Sequence, residues 1–446
     1  MAGQARAAMR DETAGIGPRR AALDVVAELV GGRRSGALDD LLDAFCAREG
    51  LDARDAGLAR AIAVATFRHL GALKGSLGRR LNEGLPEDQP RLLALLATGA
   101  AQIVHLSVPD HAVVDLAVRL SRETDSLAHL GGLVNAVLRR VVRERAEIRA
   151  EGEADPVRAG APAWLAERWT AAYGAEATRG IGQRHLRGGA LDLTPRADAE
   201  AWAGRLGAAL LPTGSLRLEA RTPVPELPGY AEGAWWVQDA AAALPAHLLA
   251  ARAGERVADL CAAPGGKTAQ LAATGAVVTA VDRSAARLKR LSANLDRLGL
   301  AAEVVVADAL ALPEDAPFDA VLLDAPCTAT GTLRRHPDVA WTKHPGDLAR
   351  LADLQARLLA KAARLVRPGG RLVYCVCSLE PEEGEAQAAA FLARHPDFAV
   401  APAEAAEVGG RAELLRPDGT LRTLPAHLAE LGGLDGFYAV RLARRG

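Results

Sequence analysis

The chain is poor in almost every feature that would place it quickly. Lys and Arg number 54 against 55 Asp and Glu, a formal net charge of -1 over 446 residues. No global basic field therefore announces nucleic acid, and any nucleic-acid surface has to be local. Aromatic residues are 4% of the chain, and the stretch 161–238 shows no aromatic pair that reads as a base-stacking platform. The five cysteines stand in no even-spaced framework; a disulfide scaffold is excluded and a reducing compartment expected. No apolar run approaches a membrane span, and residues 1–20 are polar and charged, so a soluble, cytoplasmic protein without a membrane partner is expected.

What is present falls into blocks, as a chain too long for one ordinary core should. Residues 19–150 show apolar residues at three- and four-residue spacing, broken by Gly, Pro or Asp, and predict a helical domain. Residues 151–162, rich in Glu, Asp, Gly and Pro, read as a linker. Residues 161–238 predict a small α+β subdomain, with a short helix over 164–173 and Trp235 and Trp236 in its core. From 239 to 446 strand and helix patterns alternate through Gly turns, the pattern of a mainly parallel sheet with helices on both faces.

The densest chemistry lies at the first strand-to-helix turn of that third block. Asp259-Leu260-Cys261-Ala262-Ala263-Pro264-Gly265-Gly266-Lys267-Thr268 follows an apolar strand and opens a helix, where glycines let the backbone approach a ligand. It is no phosphate loop, because alanines stand where that loop needs freedom, and no dinucleotide fingerprint, because G-x-G-x-x-G is missing. Three further strands each end in an acid: Asp282, Asp308 and Asp324. Together they describe a pocket for an adenosine-like ligand.

Three segments then carry a resemblance. The glycine turn, Asp324-Ala325-Pro326-Cys327 with Gly331 behind it, and Tyr374-Cys375-Val376-Cys377-Ser378-Leu379 with Pro381-Glu382-Glu383-Gly384-Glu385 together resemble the RNA cytosine-5 methyltransferases of the RsmB/NOP family. Residues 132–140 resemble the last helix of the NusB-like RNA-binding domain that precedes the catalytic part in bacterial members. The resemblance implies an all-α NusB-like domain, a small RNA-contacting α+β subdomain and an α/β Rossmann-like class I methyltransferase domain. It implies S-adenosyl-L-methionine as cofactor, held by Cys261, Ala262, Ala263, Pro264, Gly265, Gly266 and Lys267, with Asp282 on the ribose, Asp308 on the adenine amine and Asp324 beside them. Small-subunit ribosomal RNA is the implied substrate and partner, and nothing demands more than a monomer.

The same resemblance makes Cys377 the nucleophile, Cys327 the group that releases the product, and Asp324 and Lys267 the pair at the base. Cys375 departs from the family, which usually has Ser or another small residue there, so two thiols flank Val376; Cys377, nearer the strand's carboxyl end, is the one expected to attack. A zinc site is not expected, because no C-x-x-C knuckle is present. Arg334 and Arg335 are expected on the RNA backbone. Arg139 and Arg140 are a second candidate RNA surface, or else a solvated face shared with Glu144 and Glu147. Two competing readings are a non-enzymatic RNA-binding or antitermination factor on a retained scaffold, and transfer to an exocyclic nitrogen, for which Asp324-Ala325-Pro326-Cys327 lacks the second Pro and the aromatic.

Overall fold

Helix-period spacing dominates residues 19–150, and helices form among the described residues there. The structure, a computed structural model, describes residues 15–32, 36–81, 84–86, 88–219 and 222–446. Helices Ile16–Val30, Leu38–Arg48, Ala53–Arg68, Leu70–Gly78, Pro90–His105, Asp110–Arg122 and Gly131–Arg143 bury Leu23, Ile62, Phe67, Leu96, Val104 and Leu138 in one core. The helix Gly131–Arg143 ends at Glu144 (φ -106, ψ 15) and the chain restarts as Arg145–Ala154. The expected linker 151–162 is largely helical, because Asp155 accepts a hydrogen bond from the Arg158 amide at 3.1 Å and Pro156 starts the next turn. An Asp-Pro pair serves as N-cap and first helical residue, although in a composition it reads as a loop.

The helix Ala163–Arg187 is interrupted at Gly174 (φ 80, ψ 167), one residue beyond its expected end, and resumes. It packs with the helical unit: one compact unit runs to Gly188 and includes Arg335–Lys343, and the other comprises Gly189–Arg334 and His344–Gly446.

The second unit holds two sheets. In the smaller, β1 (Leu191–Pro195), β2 (Ala209–Leu210), β3 (Leu216–Leu218) and β4 (Trp235–Val237) run antiparallel in the order β2-β3-β1-β4, and Trp235 and Trp236 are buried as expected. The larger contains β5 (Arg256–Leu260), β6 (Val277–Asp282), β7 (Glu303–Val306), β8 (Phe318–Asp324), β9 (Val366–Val376), β10 (Phe398–Val400), β11 (Leu421–Thr423) and β12 (Phe437–Arg444). Its order is β10-β12-β9-β8-β5-β6-β7, with β11 on β12. Strands β5 to β9 are parallel, while β12 lies antiparallel against β9. Val257, Ala258, Ala320, Val321, Leu322 and Leu323 are wholly buried, the continuous apolar run of strands covered on both faces. The chain leaves β5 toward β6 and β7, then returns to β8 on the other side. That reversal opens a crevice at the carboxyl ends of β5 and β8, where open α/β sheets bind ligands.

Candidate active site

At the end of β5 the backbone turns through Cys261 (φ 61) and Gly265 (φ 103) into the helix Gly266–Ala273. A Cβ on Gly265 would lie 2.6 Å from Leu291 Cγ in addition to the positive φ, so only glycine fits. Beneath the turn, wholly buried Asp259 accepts the Thr268 hydroxyl on Oδ2 at 2.6 Å, while its Oδ1 has no partner among the described residues. Burial raises the Asp259 carboxyl to about 7, against the opposing pull of Thr268. An unfolded Asp titrates near 3.9, so the folded state holds this proton more tightly. The resulting stabilisation is complete below about pH 4 and is lost as pH rises through about 7. Asp259→Asn should therefore flatten the pH dependence of unfolding, removing on the order of 2–3 kcal/mol of the change between about pH 5 and 7.5. Urea titrations at both ends of that range check it; identical pH slopes in parent and variant would rule out the titration.

The other strand ends carry their acids at the expected places. Asp282 closes β6 and accepts the amides of Ala263 at 3.2 Å and Ser284 at 2.8 Å, with Arg287 Nη1 at 3.5 Å from Oδ2. Asp308, after β7, accepts the Leu310 amide at 2.9 Å and caps a single turn. Asp324 closes β8 and accepts twice: Lys267 Nζ at 2.8 Å on Oδ2 and the Cys375 thiol at 3.5 Å on Oδ1. Burial opposes the Lys267 charge, but Asp324 and the nearby sulfurs outweigh it and hold the ammonium above its ordinary range, 5.1 Å from the centre of the Phe437 ring. Burial likewise pushes the Cys261 thiol up to about 12.

The two thiols flanking Val376 separate by burial. Cys375 lies inside β9, fully buried, and burial followed by the charge of Asp324 pushes its thiol well above the ordinary value. It is a proton donor to Asp324. Cys377 comes just after the strand, is half-buried, and places its sulfur 3.5 Å from that of Cys327. The hydrogen bond with Cys377, then burial, raises the Cys327 thiol well above its usual range. Lys267, Asp324, Cys327, Cys375 and Cys377 thus share one neighbourhood at the ends of β5, β8 and β9.

Glu383 joins this site, although the sequence attached no role to it. Fully buried, it accepts the Thr328 amide on both oxygens (2.9 and 3.2 Å), the Thr328 hydroxyl and Gln355 Nε2 at 3.0 Å. Gln355 also bonds the Pro326 carbonyl at 2.9 Å, so both neighbours of Cys327 are tied down. Two adjacent glutamates after Pro381 gave no sign of which turns inward. Glu383→Gln turns an amide group toward existing donors and should cost about 1–3 kcal/mol. Denaturant unfolding measures this; an unchanged midpoint would mean that the Cys327 loop does not depend on the carboxylate.

The arginines divide. Arg334 is not available to RNA: it is fully buried, with Nη2 at 2.6 Å from Asp239 and 3.3 Å from Asp435, which corrects the expectation that it contacts the backbone. Half-buried Arg335 belongs to the helical unit. Arg139 and Arg140 are exposed, the first bonded to Asn135 at 3.0 Å and the second paired with Glu144 at 2.8 Å. Among the described residues no group of three or more His, Cys, Asp or Glu side chains is arranged to hold a metal, and no helix is long and apolar enough to cross a membrane.

A family profile described as 16S rRNA methyltransferase RsmB/F matches residues 246–443, and the NusB family profile matches residues 17–143. The chain is 37% identical to Ribosomal RNA small subunit methyltransferase B of Pseudomonas putida, covering 96% of this chain and 99% of that protein. It is 38% identical to the protein of the same name from Xylella fastidiosa over 96% and 98%. Among solved structures, PH0851 superposes with a TM-score of 0.74 at 24% identity, covering 95% of this chain and 98% of the other, and shares the fold. With its helical NusB-family domain ahead of a Rossmann-like sheet, the chain belongs to the S-adenosylmethionine-dependent RsmB/F family of 16S rRNA methyltransferases.

Proposed function

We propose that this chain methylates carbon 5 of a cytosine in small-subunit ribosomal RNA through a covalent bond between Cys377 and carbon 6. The observation that carries the reading is the pair of sulfurs, Cys327 and Cys377, 3.5 Å apart beside the Lys267–Asp324 ion pair. The residues suit S-adenosylmethionine. Asp282, Asp308 and Asp324, at or just beyond the carboxyl ends of β6, β7 and β8, form a carboxylate set matched to a cationic, hydroxyl-bearing ligand. The turn 261–267 would hold it, with Asp282 on the ribose hydroxyls and Asp308 on the adenine amine. Bound there, it supplies an electrophilic methyl group.

Carbon 5 of cytosine is a poor nucleophile. Addition of the Cys377 sulfur to carbon 6 breaks the ring's 5,6 double bond and leaves an enamine whose carbon 5 can accept a methyl group. As the sulfur adds, its proton passes to the ring nitrogen, and Asp324, fixed by Lys267 and Cys375, accepts hydrogen bonds from that nitrogen and the exocyclic amine. Cys327 then takes up the carbon 5 proton while its own proton passes to the departing Cys377 sulfur 3.5 Å away, and the ring double bond is restored. Cys327 keeps its proton until that step because the neighbouring sulfur and burial raise its thiol. RNA backbone contact is assigned to Arg335, Arg139 and Arg140.

The test is transfer of labelled methyl groups to ribosomal RNA from a strain lacking the gene, followed by digestion to nucleosides. Label in 5-methylcytidine supports the reading, whereas label on another base, or none, overturns it.

A further inference from the structure

The helical unit carries a cavity of about 860 Å³, half open to solvent, that has no part in the site at β5 and β8. Its lining carries three arginines, Arg68, Arg149 and Arg187, against Glu153 as the single carboxylate. His69 and His105 stack in its wall, their rings 3.5 Å apart and 6° from parallel. Arg149 donates through Nη2 to the Val104 carbonyl and otherwise faces solvent. Neither Arg149 nor Arg187 has an ion-pair partner among the described residues. Burial, followed by His105 and the neighbouring guanidiniums, lowers His69 to about 3, and burial with Arg149 lowers His105 to about 4. The ring pair is therefore neutral at pH 7. Arg68, lowered by burial to about 10, remains charged.

Planar guanidiniums match phosphate oxygens two at a time. A neutral flat ring pair beside them offers a stacking surface to a base, and stacking is tolerant of base identity. The volume lies in the range of small-ligand sites and exceeds one nucleotide. We propose that this cavity binds a phosphate-bearing nucleotide within a single-stranded RNA segment, held by Arg68, Arg149 and Arg187 and stacked against the His69–His105 pair.

The full chain is titrated with a fluorescent single-stranded RNA of about eight nucleotides carrying 4-thiouridine, and crosslinks made under ultraviolet light are mapped by mass spectrometry. Binding is read without methyl transfer, so failure of the cytosine reaction leaves this test intact. Crosslinks on peptides containing His69, His105 or Arg149 are expected. Arg187→Gln, which breaks no bond in the protein, and the double variant Arg149→Gln/Arg187→Gln should each bind more weakly, about tenfold per guanidinium removed. The slope of log affinity against log salt should fall by about 0.7 per arginine. Competition by free AMP at equal nucleotide concentration would keep the nucleotide site but identify a free ligand as its source. Equal competition by pyrophosphate or an acidic peptide, crosslinks confined to other helices, or unchanged affinity in the double variant with an unchanged melting temperature would overturn the proposal.

Discussion

A Cys327→Ala chain mixed with S-adenosylmethionine and ribosomal RNA from a strain lacking the gene should stay joined to the RNA and run as a retarded band on a denaturing gel. The expectation follows from the order of bond changes. In the proposed scheme Cys377 forms its bond to carbon 6 before methyl acceptance, and that bond breaks only as the carbon 5 proton leaves. Removing Cys327 takes away the proton carrier beside it, whose sulfur lies 3.5 Å from Cys377, and leaves bond formation intact. Cys377→Ala should lose turnover by on the order of 10⁴-fold or more, as removal of a covalent nucleophile does, and should abolish the band in the double variant. Cys375→Ala should keep the band, because Cys375 is buried and engaged with Asp324. A band that survives Cys377→Ala but vanishes with Cys375→Ala would transfer the nucleophile to the buried thiol.

The main parts of this site were legible in the sequence because each coincides with a strand end. A buried parallel strand is a continuous apolar run, so its carboxyl terminus is where the run stops, and Asp282 and Asp324 mark those stops, while Asp308 follows the partly exposed β7 by two positions. Cys377 and Cys375 could be ranked by position along one strand, and the structure separates them by burial, Cys375 fully buried and Cys377 half-buried. Glu383 was out of reach, because its partners Thr328 and Gln355 lie 55 and 28 residues away. The helix at Pro156–Gly160 was missed because composition cannot distinguish an Asp-Pro helix start from a loop. Arg334 misled for a related reason. Adjacent arginines read as one basic patch, yet Arg334 and Arg335 fall in different compact units and only the second is partly exposed.

Arg334→Ala should lower unfolding free energy by about 3–5 kcal/mol, the range for removing one partner of a buried ion pair. The guanidinium is wholly buried and joins Asp239 to the loop 432–436. Nη2 meets Asp239 at 2.6 Å and Asp435 at 3.3 Å, and Nη1 bonds the Gly432 carbonyl at 3.2 Å. Asp239 itself caps the helix Ala240–Leu249 through the Ala241 amide at 2.8 Å, and Asp435 leads into β12. Without the arginine, two carboxylates face each other out of water, and the strand that positions Phe437 near Lys267 loses its anchor. Arg334→Lys keeps the charge but has no second nitrogen for the Gly432 carbonyl, so an intermediate loss is expected. Denaturant midpoints of the three chains measure this, with RNA affinity at several salt concentrations as the second readout. A loss of stability with an unchanged salt slope in the folded variant identifies a structural arginine. An unchanged midpoint with a shallower salt slope would return Arg334 to the RNA surface.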